Sequence, residues 1–143
     1  MHLKQNTDYS LRILMYAATH RDEMVSAREI CEFYDISYSH TVKIVNKLGK
    51  LGYLELKRGR YGGGIALAIE PEAIDIGTVV RQFESNMDVV ECFDPDTNTC
   101  SIAGGCRLKY FFQEALDSFF NALDGKTLAE VLPPQKQESQ NES

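Results

Sequence analysis

The chain has 143 residues, 43% of them hydrophobic and 25% charged. That is room for one modest core with a small appended element, and it argues against two full domains, wholesale disorder or a membrane class. The net charge of −6 looks unfavourable for a polyanionic partner, but the acid is unevenly placed: residues 1–70 carry ten Lys/Arg against eight Asp/Glu, residues 71–143 five against thirteen. Between Ser37 and Tyr61 the basic residues Lys43, Lys47, Lys50, Lys57, Arg58 and Arg60 are opposed only by Glu55. Phosphates are attracted to such a stripe, so the low isoelectric point does not exclude DNA.

Taken in chain order, Thr7 is a candidate N-cap for a first helix whose Leu11, Leu14, Met15 and Ala18 form one stripe and which ends near His20. Ser26-Ala27-Arg28-Glu29 is a capping box for a second helix reaching about Tyr34. After a break at Asp35-Ile36, Ser37 caps a third helix with Val42, Val45 and Leu48 at helical spacing. Two short helices with a tight turn between them make a helix-turn-helix unit. Beyond Gly49 and Gly52 the period changes to alternation: Leu54 and Leu56, then Ile65, Leu67 and Ile69, around a basic, glycine-rich tip. That is a hairpin, ended by Pro71. This order of elements predicts a mainly α fold with a small β-hairpin wing, a winged helix-turn-helix whose third helix enters the major groove.

Ile76, Val79, Val80 and Phe83 mark a further helix, and Asn86 to Gly105 is a long irregular loop. From Cys106 to Leu123 the residues Leu108, Phe111, Phe112, Ala115, Phe119 and Leu123 form a stripe with more aromatic surface than a small domain needs. This predicts a long C-terminal dimerisation helix in a twofold homodimer, which would present two wings to a palindromic site. Thr127-Leu128-Ala129-Glu130 is a capping box for a short last helix, and the tail from Pro133 to Ser143 has a disordered composition. The expected division is a DNA-binding unit over 1–70, a loop and dimerisation unit over 71–132, and the tail. No apolar stretch approaches a bilayer span and no signal pattern opens the chain, so the expected location is cytoplasmic, with no membrane partner.

Cys92, Cys100 and Cys106 lie in C-x7-C-x5-C spacing within the long loop, with Gly104 and Gly105 beside the third. Three thiols in one loop of a cytoplasmic chain favour a metal over a disulfide framework. The spacing does not match the paired C-x2-C zinc patterns, whereas iron-sulfur clusters accept cysteines from irregular loops. Zinc and metal-free cysteines remain open on spacing alone. Cys31 stands apart in the second helix, where a buried, inert thiol is the expectation. No nucleophile-base pair, phosphate loop before a helix or paired catalytic carboxylates is present, and Gly62-Gly63-Gly64 lies in a hairpin tip, so the chain does not read as an enzyme.

The segment Asn6-Thr7-Asp8-Tyr9-Ser10-Leu11-Arg12, the run Ser37-Tyr38-Ser39-His40-Thr41-Val42-Lys43-Ile44-Val45-Asn46-Lys47-Leu48, the tip Arg58-Gly59-Arg60-Tyr61-Gly62-Gly63-Gly64 and the three-cysteine loop stand in that order. Together they resemble the iron-sulfur winged-helix regulators over residues 1 to about 132. The Thr7-Asp8-Tyr9 start and His40-Thr41-Val42-Lys43 are most similar to the nitric-oxide-sensing repressors of that family. The resemblance implies an iron-sulfur cluster, four-iron with two-iron as the alternative, held by Cys92, Cys100 and Cys106. It points to Asp8 of the other subunit as the fourth ligand; by itself Asp8 reads as a first-turn acid favoured by the helix dipole. Another branch of the family uses a His three residues after the third cysteine. Here that residue is Lys109, which cannot ligate while protonated.

In this setting Ser37, Ser39, His40 and Lys43 occupy the first turns of the recognition helix, facing base edges or phosphates. Arg60 suits a narrow minor groove, Lys57 and Arg58 suit phosphates, and Arg12 could reach the DNA backbone from the first helix. The function implied is a transcriptional repressor that releases operator DNA when nitric oxide attacks its cluster. The alternatives are an iron- or redox-sensing regulator with a two-iron cluster and, from another class, a zinc-stabilised protein-interaction module without a DNA target.

Overall fold

A computed structural model of the chain describes residues 1–59 and 63–134. Among them the order of elements is α1 Gln5–Thr19, α2 Ala27–Tyr34, α3 Tyr38–Lys50, β1 Leu54–Lys57, β2 Gly64–Leu67, α4 Ile76–Phe83, α5 Leu108–Leu123 and α6 Leu128–Val131. Single 3₁₀ turns lie at Pro71–Ala73 and Glu91–Phe93. No helix among the described residues is long and apolar enough to cross a membrane.

Most helix starts follow local chemistry. Ser26 Oγ accepts the Glu29 N–H at 3.0 Å, Ser37 Oγ the His40 N–H at 3.3 Å and Asp75 Oδ2 the Thr78 N–H at 2.8 Å. Thr127 and Glu130 close the expected capping box of α6. Each satisfies an amide that the first helical turn would otherwise leave without a partner. α1 departs from expectation. It begins at Gln5, two residues before Thr7, and Lys4 provides no side-chain cap. Thr7 is fully buried, and its hydroxyl donates to Glu84 Oε1 at 2.7 Å; the same oxygen accepts the Lys4 N–H at 2.7 Å. The capping acceptor thus comes from a residue some eighty positions away, at the end of α4, where local sequence carries no sign of it.

Asp35 ends α2 in the left-handed conformation, φ 54°, which Asp tolerates better than most residues. The turn carries the chain into α3, whose buried stripe is Thr41, Ile44, Val45 and Leu48. Val42 is only half-buried, against expectation, and Thr41 takes the inward place. Thr41 Oγ1 donates to the Ser37 carbonyl at 3.0 Å, so its polar atom is satisfied and burial is tolerated. α3 closes through Gly52, whose φ of 88° favours glycine. β1 and β2 pair antiparallel in the register Leu54↔Leu67 to Lys57↔Gly64, with Val25 bridging Ile65. The second strand stops at Leu67, short of Ile69, and Pro71 opens a 3₁₀ turn instead. Arg60 and the tail beyond residue 134 lie outside the described residues.

α1 is the central helix, packed against α3, α4, α6 and β2. Ile13 and Leu14 of α1 are fully buried in one core with Ile30, Leu48, Ile74, Val79 and Leu128, so packing runs across residue 70 without a break. Truncating such a residue to alanine costs about 2–5 kcal/mol. α5 begins two residues later than expected and leans on α4; Phe120 is its buried member. Its predicted stripe is largely in solvent, with Leu108 55%, Phe111 65% and Phe119 40% exposed.

Asp75 fastens this C-terminal half, because its other oxygen, Oδ1, accepts the Gly125 N–H at 2.7 Å. Burial would raise its pKa, but the hydrogen bonds from Thr78 and Gly125 outweigh it and hold the carboxyl below the usual range. The folded form therefore favours the carboxylate, and the benefit is present above the ordinary Asp pKa and lost as pH falls through the lowered one. Asp75→Ala should destabilise the chain by about 1–2 kcal/mol in urea unfolding at pH 7. The gap to the parent protein should narrow below about pH 4.

Candidate nucleic-acid interface and cysteine loop

The outer side of α3 and the hairpin is built from the basic stripe. Ser37, Ser39 and Lys43 are exposed at the start of α3, and Lys57 and Arg58 are exposed at the end of β1. Asn46, Gly49, Lys50, Leu54, Leu56 and Arg58 line a shallow depression of about 500 Å³ between helix and hairpin. Lys47 belongs elsewhere: its Nζ donates to the Gln82 carbonyl at 2.9 Å and lies 4.3 Å from the centre of the Phe83 ring. Tyr53, which is buried, donates its hydroxyl to Gln82 Oε1 at 2.6 Å. Burial pushes the Tyr53 phenol up, so it stays a protonated donor at neutral pH. These contacts fix α3 against the end of α4. His40 is half-buried, with Nε2 paired to Asn6 Oδ1 and its ring edge-on to Tyr9 at 5.2 Å.

The first turn of α1 gathers several of the residues singled out in the sequence. Asp8 is gripped by Arg12, Nη2 to Oδ2 at 2.7 Å and Nε to Oδ1 at 3.2 Å. Both side chains are more than two-fifths exposed. An i,i+4 ion pair of this exposure contributes roughly 0.5 kcal/mol, little enough for a stronger partner of Asp8 to displace it. The Arg12 guanidinium lies 5.4 Å from the Tyr9 ring centre and 6.0 Å from that of Tyr34, and the Tyr34 hydroxyl donates to the Arg12 carbonyl at 2.9 Å. Arg12, read from sequence as a DNA-backbone contact, is thus engaged with its own helix and with α2. On the other side of the turn, Lys4 Nζ reaches Ser85 Oγ next to Glu84. The root of the cysteine loop is therefore latched to the turn that carries Asp8.

Within the loop Cys100 is exposed, Cys92 and Cys106 are half-buried, and none forms a disulfide. Glu91 Oε1 accepts both the Thr99 N–H at 2.8 Å and the Thr99 hydroxyl at 2.6 Å. These bonds tie the backbone beside Cys92 to the backbone beside Cys100 and hold the Glu91 carboxyl below its usual range. Asn98 Oδ1 accepts the Cys100 N–H at 3.0 Å. Among the described residues no group of three or more His, Cys, Asp or Glu side chains is gathered so as to hold a metal ion. One chain by itself does not bring Cys92, Cys100, Cys106 and Asp8 together. The chemistry of the donors nevertheless fits thiolate ligation: three free thiols, none fully buried, on one irregular loop. Cys31 is buried, its thiol donating to the Arg28 carbonyl at 3.1 Å. Glu84 and Glu91 carry no signal in the sequence because their partners are distant or lie within an irregular loop.

Helix-turn-helix, wing and exposed basic face define a winged-helix DNA-binding regulator. The chain belongs to the Rrf2 family, described as iron-dependent transcriptional regulators, whose model matches residues 3–134. It is 46% identical over 133 residues to the HTH-type transcriptional regulator NsrR of Halalkalibacterium halodurans, covering 92% of this chain and 90% of that one. It is 45% identical to the Bacillus subtilis regulator of the same name, at 92% and 90% coverage. The HTH-type transcriptional repressor NsrR of Streptomyces coelicolor is 36% identical, at 92% and 88%. Among solved structures, CymR of B. subtilis, the global cysteine regulator, superposes with a TM-score of 0.70 at 23% identity over 92% of this chain and 95% of that one. IscR of T. potens gives 0.69 at 24% identity over 91% and 85%. The two structures share the fold.

The burial of the four thiols sets an order of reactivity. In chelator-treated, reduced protein a maleimide should label Cys92, Cys100 and Cys106 under native conditions, with Cys31 reacting only after denaturation, as read by peptide mass spectrometry.

Proposed function

We propose that this chain is a homodimeric repressor that holds an iron-sulfur cluster, four-iron, and releases a palindromic operator in response to nitric oxide. Cys92, Cys100 and Cys106 of one subunit and Asp8 of the other would be its ligands. The observation that carries this reading is the latch between the loop root, Glu84 and Ser85, and the α1 turn bearing Asp8. It joins the thiol-bearing loop to the central helix of the DNA-binding unit. The regulators named NsrR that cover nine-tenths of this chain support the same reading.

When bound, the cluster supplies iron, to which nitric oxide binds strongly. The chain's own residues govern the response. A carboxylate is a harder, weaker ligand for cluster iron than thiolate, so Asp8 is the protein ligand most easily exchanged. Arg12 stands ready as its alternative partner, within 2.7 Å on the next turn. Asp8 thus has two competing engagements, one across the dimer and one within its own helix, and the choice between them moves the α1 turn.

The dimer is formed through α5, since Leu108, Phe111 and Phe119 stand in solvent on one chain and a second copy would cover them. Fully burying a side chain of this size is worth about 1.5–3 kcal/mol. In each subunit, residues 1–70 bind DNA and 71–132 supply the loop and the dimer contacts. Ser37, Ser39 and Lys43 meet base edges or phosphates, Lys57 and Arg58 phosphates and Arg60 the minor groove, and Arg12, once free of Asp8, reaches the DNA backbone.

The test is a nitric oxide titration of anaerobically purified protein, with cluster absorbance and operator binding followed in the same samples. Operator affinity should fall about a hundredfold, equivalent to about 2.7 kcal/mol, as the cluster absorbance is bleached. Cys100→Ser should lack both sulfide and the response. Complete bleaching with unchanged operator affinity would contradict the proposal.

A further inference from the structure

Position 40, in the first turn of the recognition helix, is where a side chain would ordinarily read a base. The His40 ring is instead engaged with α1 of its own chain. Nε2 pairs with Asn6 Oδ1, and the ring lies edge-on to Tyr9 at 5.2 Å with 66° between the planes. Its backbone N–H is held separately by Ser37 Oγ at 3.3 Å. The residue is therefore fixed at both ends, through its backbone to the cap of α3 and through its ring to α1. Asn6 and Tyr9 are the neighbours that bracket Thr7 and Asp8. The side chains that grip His40 and the candidate ligand Asp8 thus share a single helical turn, whose other face carries the Thr7–Glu84 contact.

We propose that His40 is a positioning residue that ties the first turn of α3 to the first turn of α1, so that a shift of the turn carrying Asp8 is passed to Ser39 and Lys43 on the DNA face. The functional part of this inference rests on the reading of Asp8 as a cluster ligand. The contact suits the task because a hydrogen bond is short and directional. A displacement of about 1.5 Å takes it beyond bonding distance, and a rotation of either partner weakens it as well. With Asn6 Oδ1 accepting, His40 Nε2–H is the donor, and a glutamine at position 40 places an amide N–H at a comparable reach. Asn6 lies on α1 and is exposed, so its loss removes the contact without touching the recognition helix.

The experiment uses full-length Asn6→Ala, His40→Ala and His40→Gln. In cluster-free protein, Asn6→Ala and His40→Ala should each raise amide exchange in the first turn of α3 severalfold, while His40→Gln stays close to the parent. Unchanged exchange in Asn6→Ala would overturn the link, whatever the cluster does. In the second arm, operator affinity of cluster-loaded protein is divided by that of cluster-free protein. The ratio, about a hundredfold in the parent, should drop below about tenfold in Asn6→Ala and His40→Ala with cluster absorbance unaltered, and recover in His40→Gln. If His40→Ala weakened both forms equally and altered base preference while Asn6→Ala left the ratio intact, His40 would be a base reader and the proposal wrong. A parental ratio of one would contradict the cluster-dependent function itself, and the exchange arm would then decide the His40 link alone.

Discussion

The fold turns on the hydrogen bonds that Glu84 accepts at the start of α1. The buried Thr7 hydroxyl needs an acceptor, and leaving it without one would cost about 1–3 kcal/mol, while the exposed Lys4 amide shares the same oxygen. Supplying that acceptor from the end of α4 closes the chain on itself. The helix at the centre of the core is thereby joined to the place where the cysteine loop departs. Few positions in so small a protein could relate a solvent-facing loop to the exposed basic helix α3, and this turn touches both: Glu84 and Ser85 on one side, His40 on the other.

Charge and exposure divide the labour. The basic residues of α3 and β1 are exposed, and among them Lys47 is committed to Gln82 and Phe83 and so serves packing. The acid of the C-terminal half is largely used in local structure: Asp75 caps α4, Asp124 pairs with Arg81, Glu91 holds Thr99 and Glu130 closes the last capping box. The net charge of −6 therefore says little about the exposed basic surface of α3 and β1. The Asp8–Arg12 pair is weak because water screens it. Its usefulness lies in that weakness, since a strong internal pair would keep Asp8 from any other partner.

Much of the fold is legible in the sequence because it rests on short-range rules. Ser26, Ser37 and Thr127 mark helix starts through hydrogen bonds spanning three residues, and the alternation after Gly52 marks the hairpin. Thr7 misleads because its partner is distant: a threonine followed by an apolar stripe has the form of a cap, and only the folded chain shows its hydroxyl buried against Glu84. Val42 and Thr41 exchange expected roles for a related reason, since a threonine that bonds its own backbone passes as apolar. The thiols of the candidate site are legible as residue types. The contacts around the candidate residues, Glu91 with Thr99 beside the thiols and Asn6 with His40 beside Asp8, join residues separated by irregular loop or by another helix, and no periodicity encodes them.

The central claim is that Asp8 of one subunit completes the site formed by the cysteines of the other, and mixed dimers test it most directly. Asp8→Ala chains, which keep all three thiols, are combined with Cys106→Ala chains, which keep Asp8, and the heterodimers are isolated by differential tags. Each parent homodimer lacks a complete ligand set, whereas the heterodimer has one intact site if ligation crosses the interface. The account predicts that heterodimers regain a cluster resistant to a chelator at about half the parental content per dimer. Verified heterodimers whose cluster is as labile as that of Asp8→Ala homodimers would contradict it.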